Sequence, residues 1–223
     1  MPIATDAPIE ITAFAWVPPF AAGYVRDLRP RWACEELALP YSERLISAVE
    51  RPEWYFEEQP FGQAPYMRDG EICMFESGAM LIHLAEKTGR LLPPEGQARA
   101  SVLSWLIAAF NSVEPMVFEL TNVEVFSRKE EWAKLRRPSL LEALGRRLDQ
   151  LSATLGNAEW IAGDFSIADI AMVTVLREAA ARGVLEAHPA LQAYVARGTA
   201  RPAFETALAD QLAAFAANAP QPA

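Results

Sequence analysis

The stretch PFGQAPYMRDGEICMFESG, residues 60–78, is the part of this chain that best indicates its fold. It contains a loop that ends in Pro65, an Asp69-Gly70 pair typical of a hairpin turn, a short apolar strand, and Glu76-Ser77 at the start of a helical segment. The unpaired main-chain N–H groups and the positive end of the helix dipole at such a start suit a carboxylate. A small anionic ligand is therefore predicted at Ser77.

The pattern on both sides of this stretch indicates a small α/β domain. Residues 9–16 and 41–47 alternate as strands on either side of a helical segment, and residues 52–58 suit a short irregular helix. Residues 77–88 suit a helix that Gly89 closes. The predicted order is β-α-β-α-β-β-α, a mixed sheet within residues 8–91.

The second half of the chain is predicted to be an all-helical bundle. The paired prolines of segment 92–98 indicate a linker, and the helical domain is placed at 99–219. Apolar residues there recur at helical spacing: Val102, Leu106, Ala109, Val113, and later Leu144, Leu148, Leu151 and Leu155. Ser166 and Asp169 have the spacing of a capping box, which we interpret as purely structural.

Composition narrows the function classes. With 223 residues, 52% hydrophobic and 22% charged, the chain suits a soluble protein of two modest domains. A net charge of −9 argues against a nucleic-acid partner. Apolar runs fall short of the ~18 residues that span a bilayer, so no membrane partner is predicted and a cytoplasmic location is expected.

Cysteine and histidine content gives two further expectations. Two cysteines, Cys34 and Cys73, and two histidines predict neither a disulfide nor a metal site. Both cysteines are predicted to be small core residues, and the absence of a Cys-x-x-Cys pair argues against dithiol redox chemistry.

Taken together, these motifs resemble the cytosolic glutathione S-transferases of the bacterial type. That family has a loop of the form Pro-Phe-Gly-Gln-Val-Pro followed by Glu-Ser, and Ala64 stands here in place of the valine. The capping box at Ser166 extends the resemblance to the helical half. The resemblance implies a thioredoxin-like N-terminal domain, a helical C-terminal domain with a hydrophobic substrate pocket, glutathione as co-substrate, and a homodimer. The implied function is detoxification, in which glutathione thiolate attacks a small hydrophobic electrophile.

The resemblance also assigns a glutathione-binding set to this sequence. Ser77 and the N–H groups beside it would hold the α-carboxylate of the γ-glutamyl group, and Glu76 would accept from the α-ammonium. A cis bond between Ala64 and Pro65 would let the Ala64 main chain pair with the bound peptide. Gln63 has two equally weighted interpretations: its side chain contacts the glycine end of glutathione, or it is a solvated loop amide. Ser77 is also expected to cap its helix.

The sequence does not clearly identify the group that activates the glutathione thiol. The family usually places a Ser, Cys or Tyr just after the first strand, yet residues 17–27 contain no Ser, Thr or Cys, and Tyr24 is their only hydroxyl. Asp27 suits the N-cap of the next helix, with Pro30 at its third position. The arginines at 26, 29 and 31 either raise the potential near the sulfur or form a solvated helix face.

Three functions therefore stay open: a transferase, a glutathione-binding scaffold without catalysis, and a glutathione-dependent isomerase or dehalogenase. The missing Ser-Ser-Cys run after the first strand weakens the isomerase hypothesis. Pro115 is expected to kink a long helix near Phe110 and Phe118 and to open the apolar pocket beside it.

Overall fold

The structure of this chain is a computed structural model, and it describes residues 3–220. The chain folds as two compact units. Among the described residues, the first, here called the sheet unit, comprises residues 3–90 and 200–220. The second, the helical unit, comprises Leu91–Thr199.

The sheet unit has the predicted thioredoxin-like order of elements. In chain order they are β1 Ile9–Phe14, α1 Leu28–Leu37, β2 Tyr41–Ile46, α2 Tyr55–Glu58, β3 Tyr66–Asp69, β4 Ile72–Phe75 and α3 Ser77–Thr88. The four strands lie in the order β2-β1-β3-β4. β1 pairs parallel with β2 and antiparallel with β3, and β3 pairs antiparallel with β4. The predicted fold class is confirmed.

Glycines occupy the β3–β4 hairpin turn and the C-terminal end of α3. Asp69 pairs with Ile72 across the β3–β4 hairpin, and Gly70 between them has a φ of +61°. Gly89 ends α3 with a φ of +66° and donates its N–H to the Ala85 carbonyl. Both conformations are strained for a residue with a Cβ, so the turn signals in the sequence had a direct physical cause.

The last helix of the chain, α9 (Pro202–Ala217), packs against α1 within the sheet unit. Trp32 is fully buried in α1, and its ring lies edge-to-face on Phe204 with centroids 4.9 Å apart. Glu36 accepts two hydrogen bonds from Arg201, at 2.5 and 2.8 Å. These residues lie within the predicted helical domain 99–219, whereas their contacts are with the sheet unit.

A buried polar cluster adds a second attachment between α1 and α9. Asp27 accepts a hydrogen bond from Arg31 Nε at 2.7 Å and another from Gln211 Nε2 at 2.7 Å. Arg31 also pairs with Glu43 on β2. Asp27, Arg31 and Gln211 are all fully buried, so water does not screen the attraction between Asp27 and Arg31.

The helical unit contains five α-helices among the described residues. They are α4 Gly96–Ala108, α5 Glu114–Thr121, α6 Glu131–Leu155, α7 Ile167–Ala181 and α8 Pro189–Thr199. The leucines at 144, 148, 151 and 155 form the buried stripe of α6 that the sequence predicts. Two π-helical turns, Ala109–Val113 and Asn122–Phe126, join α4 to α5 and extend α5.

Pro115 explains the first of these π-turns. A proline lacks an N–H and its ring displaces the carbonyl four residues earlier, which here belongs to Asn111 in the π-turn. The helix widens there instead of ending, so the disturbance predicted for this proline takes the form of a π-helical turn.

The capping box at the start of α7 is formed. Asp169 accepts hydrogen bonds from the Ser166 N–H at 2.9 Å and the Ser166 hydroxyl at 3.0 Å. It also accepts from the Ile161 N–H at 3.0 Å and from the Tyr194 hydroxyl at 2.7 Å. This buried carboxylate therefore joins three segments of the helical unit.

One helical stretch, Gly96–Phe126, is long and apolar enough by length and composition to cross a bilayer. Polar residues interrupt its apolar runs, so its sequence did not predict a membrane span. The core helix of a soluble protein passes the same test, so this finding is weak support for a membrane span.

Candidate functional site

The loop before β3 has the geometry that the resemblance predicts. The Ala64–Pro65 peptide bond is cis. Ala64 and Pro65 are buried, whereas Gln63 is exposed. Among residues 3–220, no hydrogen bond is formed by the main-chain N–H or C=O of Ala64. Both groups therefore remain available to an extended peptide.

Replacing Gly62 in this loop by any other residue would force the loop or the Phe56 side chain to move. Its φ is +61°, and an added Cβ would lie 2.5 Å from the ring of Phe56. Its N–H donates to the Gln59 carbonyl at 2.8 Å. The close approach of Phe56 and the positive φ thus both require glycine two residues before Ala64.

Glu76 and Ser77 stand at the start of α3. Glu76 is exposed and has φ 71° and ψ 115°, a strained conformation for a residue with a Cβ. The prediction that Ser77 caps this helix is wrong. Glu76 occupies the N-cap position, Ser77 is the first helical residue, and its hydroxyl makes no capping bond. The strained Glu76 turns the chain so that the serine enters the helix one position later than a capping residue would.

The Ser77 hydroxyl instead accepts a hydrogen bond from Arg29 Nη1 at 3.1 Å. Both side chains are buried, and Arg29 lies in the first turn of α1, 48 residues earlier in the chain. The structure thus brings a guanidinium to the positive end of α3. A positive charge beside unpaired helix N–H groups strengthens the attraction for an anion.

The three arginines predicted as a group have different environments. Arg29 contacts Ser77, and Arg31 is held by Asp27 and Glu43 in the buried polar cluster. A solvated face is therefore wrong for these two, because both side chains are buried in a helix that contacts α3 and α9. Sequence spacing alone gave no reason to prefer Arg29 over its neighbours.

The start of α1 agrees with the sequence only in part. Asp27 occupies the N-cap position and Pro30 the third helical position, as predicted. The Asp27 side chain makes no capping bond, because Arg31 and Gln211 occupy its two oxygens. Tyr24 lies half-buried in the turns that precede the helix, and its main-chain N–H donates to the Ala21 carbonyl at 3.0 Å. A catalytic role for Tyr24 stays a prediction.

The two cysteines are both free but differ in environment. Cys34 is buried in α1, and its burial raises the pKa of its thiol well above the ordinary value, which disfavours the reactive thiolate. The prediction of a core position is wrong for Cys73, which is exposed on β4. β4 is an edge strand, and the strand pattern did not show which of its faces lies against the core. Within residues 3–220, no cluster of three metal-binding side chains occurs.

Both halves of the chain match known domain profiles. The sequence profile "Glutathione S-transferase, N-terminal domain" matches residues 27–94, and the profile "Glutathione S-transferase, C-terminal domain" matches residues 120–202. The glutathione S-transferase tcpG of Claviceps purpurea is 30% identical over 185 residues, which cover 69% of this chain and 70% of tcpG.

Two further proteins are similar to this chain. The disulfide-bond oxidoreductase YfcG of Escherichia coli is 34% identical over 106 residues, which cover 45% of this chain and 46% of YfcG. The crystal structure of a glutathione transferase from Burkholderia graminis, with two glutathione molecules bound per subunit, superposes with a TM-score of 0.80. It is 27% identical, and the match covers 93% of this chain and 90% of that chain. From its two matched domains, its thioredoxin-like sheet and its relatives, this chain belongs to the glutathione S-transferase family.

Proposed function

We propose that this protein binds glutathione in the sheet unit and transfers its thiolate to a small hydrophobic electrophile. The observation that carries the proposal is the Arg29–Ser77 hydrogen bond at the start of α3, because it supplies positive charge and a hydroxyl where an anionic group would bind. Glutathione presents such a group in its γ-glutamyl α-carboxylate.

Each part of glutathione has a candidate partner on this chain. The α-carboxylate accepts from the Ser77 hydroxyl and from the first N–H groups of α3, with Arg29 beside them. Glu76, exposed one residue earlier, accepts from the α-ammonium. The Ala64 N–H and C=O pair with the cysteinyl main chain, and Gln63 reaches the glycine end.

The reaction needs a thiolate and an electrophilic carbon. The thiol loses its proton, the sulfur forms a bond to carbon, and the leaving group departs with the electron pair of the bond that breaks. The first N–H groups of α1 and an arginine are proposed to favour the thiolate, with Tyr24 as the one hydroxyl of residues 17–27 that can assist.

The decisive test is calorimetric titration of glutathione into wild type and Ser77→Ala. A hydrogen bond to a charged group is worth about 1.5–3 kcal/mol, so we expect the dissociation constant to rise roughly 10- to 150-fold. Ser101→Ala on α4, which removes a serine hydroxyl that accepts from Gln97, is the matched control and should leave the affinity unchanged. Wild-type protein that binds no glutathione would refute the proposed function, and equal affinities would remove Ser77 from the site.

A second candidate function is the reduction of disulfides by glutathione. It is supported by the relative YfcG, named a disulfide-bond oxidoreductase, and by the two glutathione molecules per subunit of the Burkholderia graminis protein. In this reaction two glutathione molecules reduce one disulfide to two thiols and leave as glutathione disulfide. It needs no protein cysteine, and the buried Cys34 thiol is unsuited to one. Turnover of a small disulfide without turnover of aryl halides would favour this candidate, and binding without either would favour a scaffold.

We also propose a homodimer, a cytoplasmic location and a role in detoxification, as the family resemblance implies. On the sheet unit, the exposed rings of Phe61 and Phe75 stack edge-to-face with centroids 6.2 Å apart, and such an exposed aromatic pair suits burial by a second copy. Sedimentation equilibrium of wild type and Phe61→Ser tests the dimer.

A further inference from the structure

A buried tyrosine holds the loop that carries the proposed ligand contacts. Tyr55, the first residue of α2, is fully buried and packs with Ile46 and Tyr66. Its hydroxyl donates a hydrogen bond to the main-chain carbonyl of Gln63 at 2.7 Å. Burial raises the pKa of Tyr55 to about 12, so the hydroxyl keeps its proton and remains a donor near neutral pH.

This hydrogen bond also affects the Ala64 N–H, because that N–H belongs to the same peptide group as the Gln63 carbonyl. The Gln63 C=O and the Ala64 N–H are parts of one planar unit and point in opposite directions. A donor that fixes the carbonyl therefore also fixes the direction of the N–H. It further polarises the peptide, which makes the N–H a stronger donor to whatever it meets.

Gln59 restrains the same loop from the other end. Its side-chain Oε1 accepts the Phe61 N–H at 2.7 Å, and its carbonyl accepts the Gly62 N–H at 2.8 Å. Its own N–H donates to the Tyr55 carbonyl at 2.8 Å. Because Gln59 is buried, these bonds are shielded from water and restrain the residues just before Gln63.

We infer that Tyr55 is a positioning residue, which aims the Ala64 N–H at the cysteinyl carbonyl of glutathione through the Gln63–Ala64 peptide. This inference rests on the proposed function. It predicts that Tyr55 acts on the cysteinyl half of the ligand and has no effect on the γ-glutamyl half, which Ser77 and Arg29 hold. The hydroxyl touches no ligand atom itself.

Two ligands separate these halves. Glutathione has the cysteinyl carbonyl, whereas γ-glutamyl ethylamide keeps the γ-glutamyl group and lacks that carbonyl. For Tyr55→Phe we expect the dissociation constant of glutathione to rise roughly five- to tenfold and that of γ-glutamyl ethylamide to change less than about twofold. Ser77→Ala should weaken both ligands by a similar factor. Calorimetry suffices for glutathione, and competition against it for the weaker ligand.

Tyr41→Phe is the matched control, because it removes a hydroxyl from an equally buried tyrosine of the same unit, one that contacts Asp210 on α9. It should change neither affinity. Gln59→Leu, which removes the acceptor of the Phe61 N–H, should reproduce the selective loss in a second background.

The outcomes are distinct. Equal weakening of both ligands by Tyr55→Phe, or no weakening of glutathione, would overturn the positioning role while leaving the proposed function intact. Failure of the wild-type protein to bind glutathione would instead overturn the proposed function.

Discussion

Replacing Asp169 with alanine tests the structural interpretation of the capping box. The carboxylate is fully buried and accepts four hydrogen bonds, from Ile161, from Tyr194 and two from Ser166. Alanine removes the acceptor and leaves the donors in place. The cost therefore depends on which donors can reach water.

The magnitude follows from the burial of those donors. The Ser166 N–H and the Tyr194 hydroxyl are buried, and an orphaned buried donor costs about 1–3 kcal/mol. The Ile161 N–H belongs to a half-buried residue that water can approach, and loss of the cap adds about 1 kcal/mol. We expect Asp169→Ala to lower the free energy of unfolding by roughly 3–7 kcal/mol. At about 2–4 °C per kcal/mol for a chain of this size, the melting temperature should fall by at least about 6 °C.

Urea unfolding followed by circular dichroism measures this loss. Asp164→Ala is the control, because Asp164 lies exposed just before the box, and its removal should change stability by less than about 0.5 kcal/mol. Tyr194→Phe removes a single donor and should fall between the two. The glutathione affinity of folded Asp169→Ala should match that of wild type. A loss below about 1 kcal/mol, or normal stability with lost binding, would refute the reasoning.

Two further predictions concern pH. A thiol has an ordinary pKa near 8.5, so it needs a downward pKa shift of about two units, or ~2.7 kcal/mol, to be mostly thiolate at pH 7. If the first N–H groups of α1 and an arginine supply this shift, the pH profile of aryl-halide conjugation will be the same in Tyr24→Phe as in wild type. A large rise in the apparent pKa of Tyr24→Phe, with glutathione affinity retained, would make Tyr24 the activator. Burial opposes ionisation of Asp69, but hydrogen bonds and charge from Lys87 and His83 hold its pKa below the ordinary value, so its stabilising contribution is present above about pH 4 and is lost as the pH falls through the lowered folded pKa. The urea midpoints of wild type and Asp69→Asn should therefore differ at about pH 7 and converge towards pH 2, and a constant difference would contradict this account.

Local signals in the sequence determined most of the sheet unit. The Asp69-Gly70 pair predicted the hairpin because its turn requires a positive φ, and Gly89 marked the end of α3 for the same reason. The Ser166–Asp169 spacing predicted a bond that spans three residues. Such features depend only on residues that are close together in the chain, so they can be predicted from a single sequence.

The features that the sequence did not reveal depend on distant residues. Arg29 and Ser77 meet across 48 positions, and Arg29 looked no different from Arg26 or Arg31. Likewise, periodicity placed Cys73 in a strand without showing that the strand lies at an edge with an exposed face. Ser77 looked like a cap because its residue type favours that position, and the strained Glu76 took the position instead.

The return of α9 to α1 makes the sheet unit discontinuous along the chain. On a ribosome, residues 1–90 emerge first, but the partner of Trp32 follows only after the whole helical unit has been made. Until then, an apolar face of α1 and the buried charge of Asp27 and Arg31 lack the cover that Phe204 and Gln211 provide. Nascent chains of this protein therefore expose this apolar face of α1 for most of their synthesis, and chaperones bind exposed apolar surfaces of this kind.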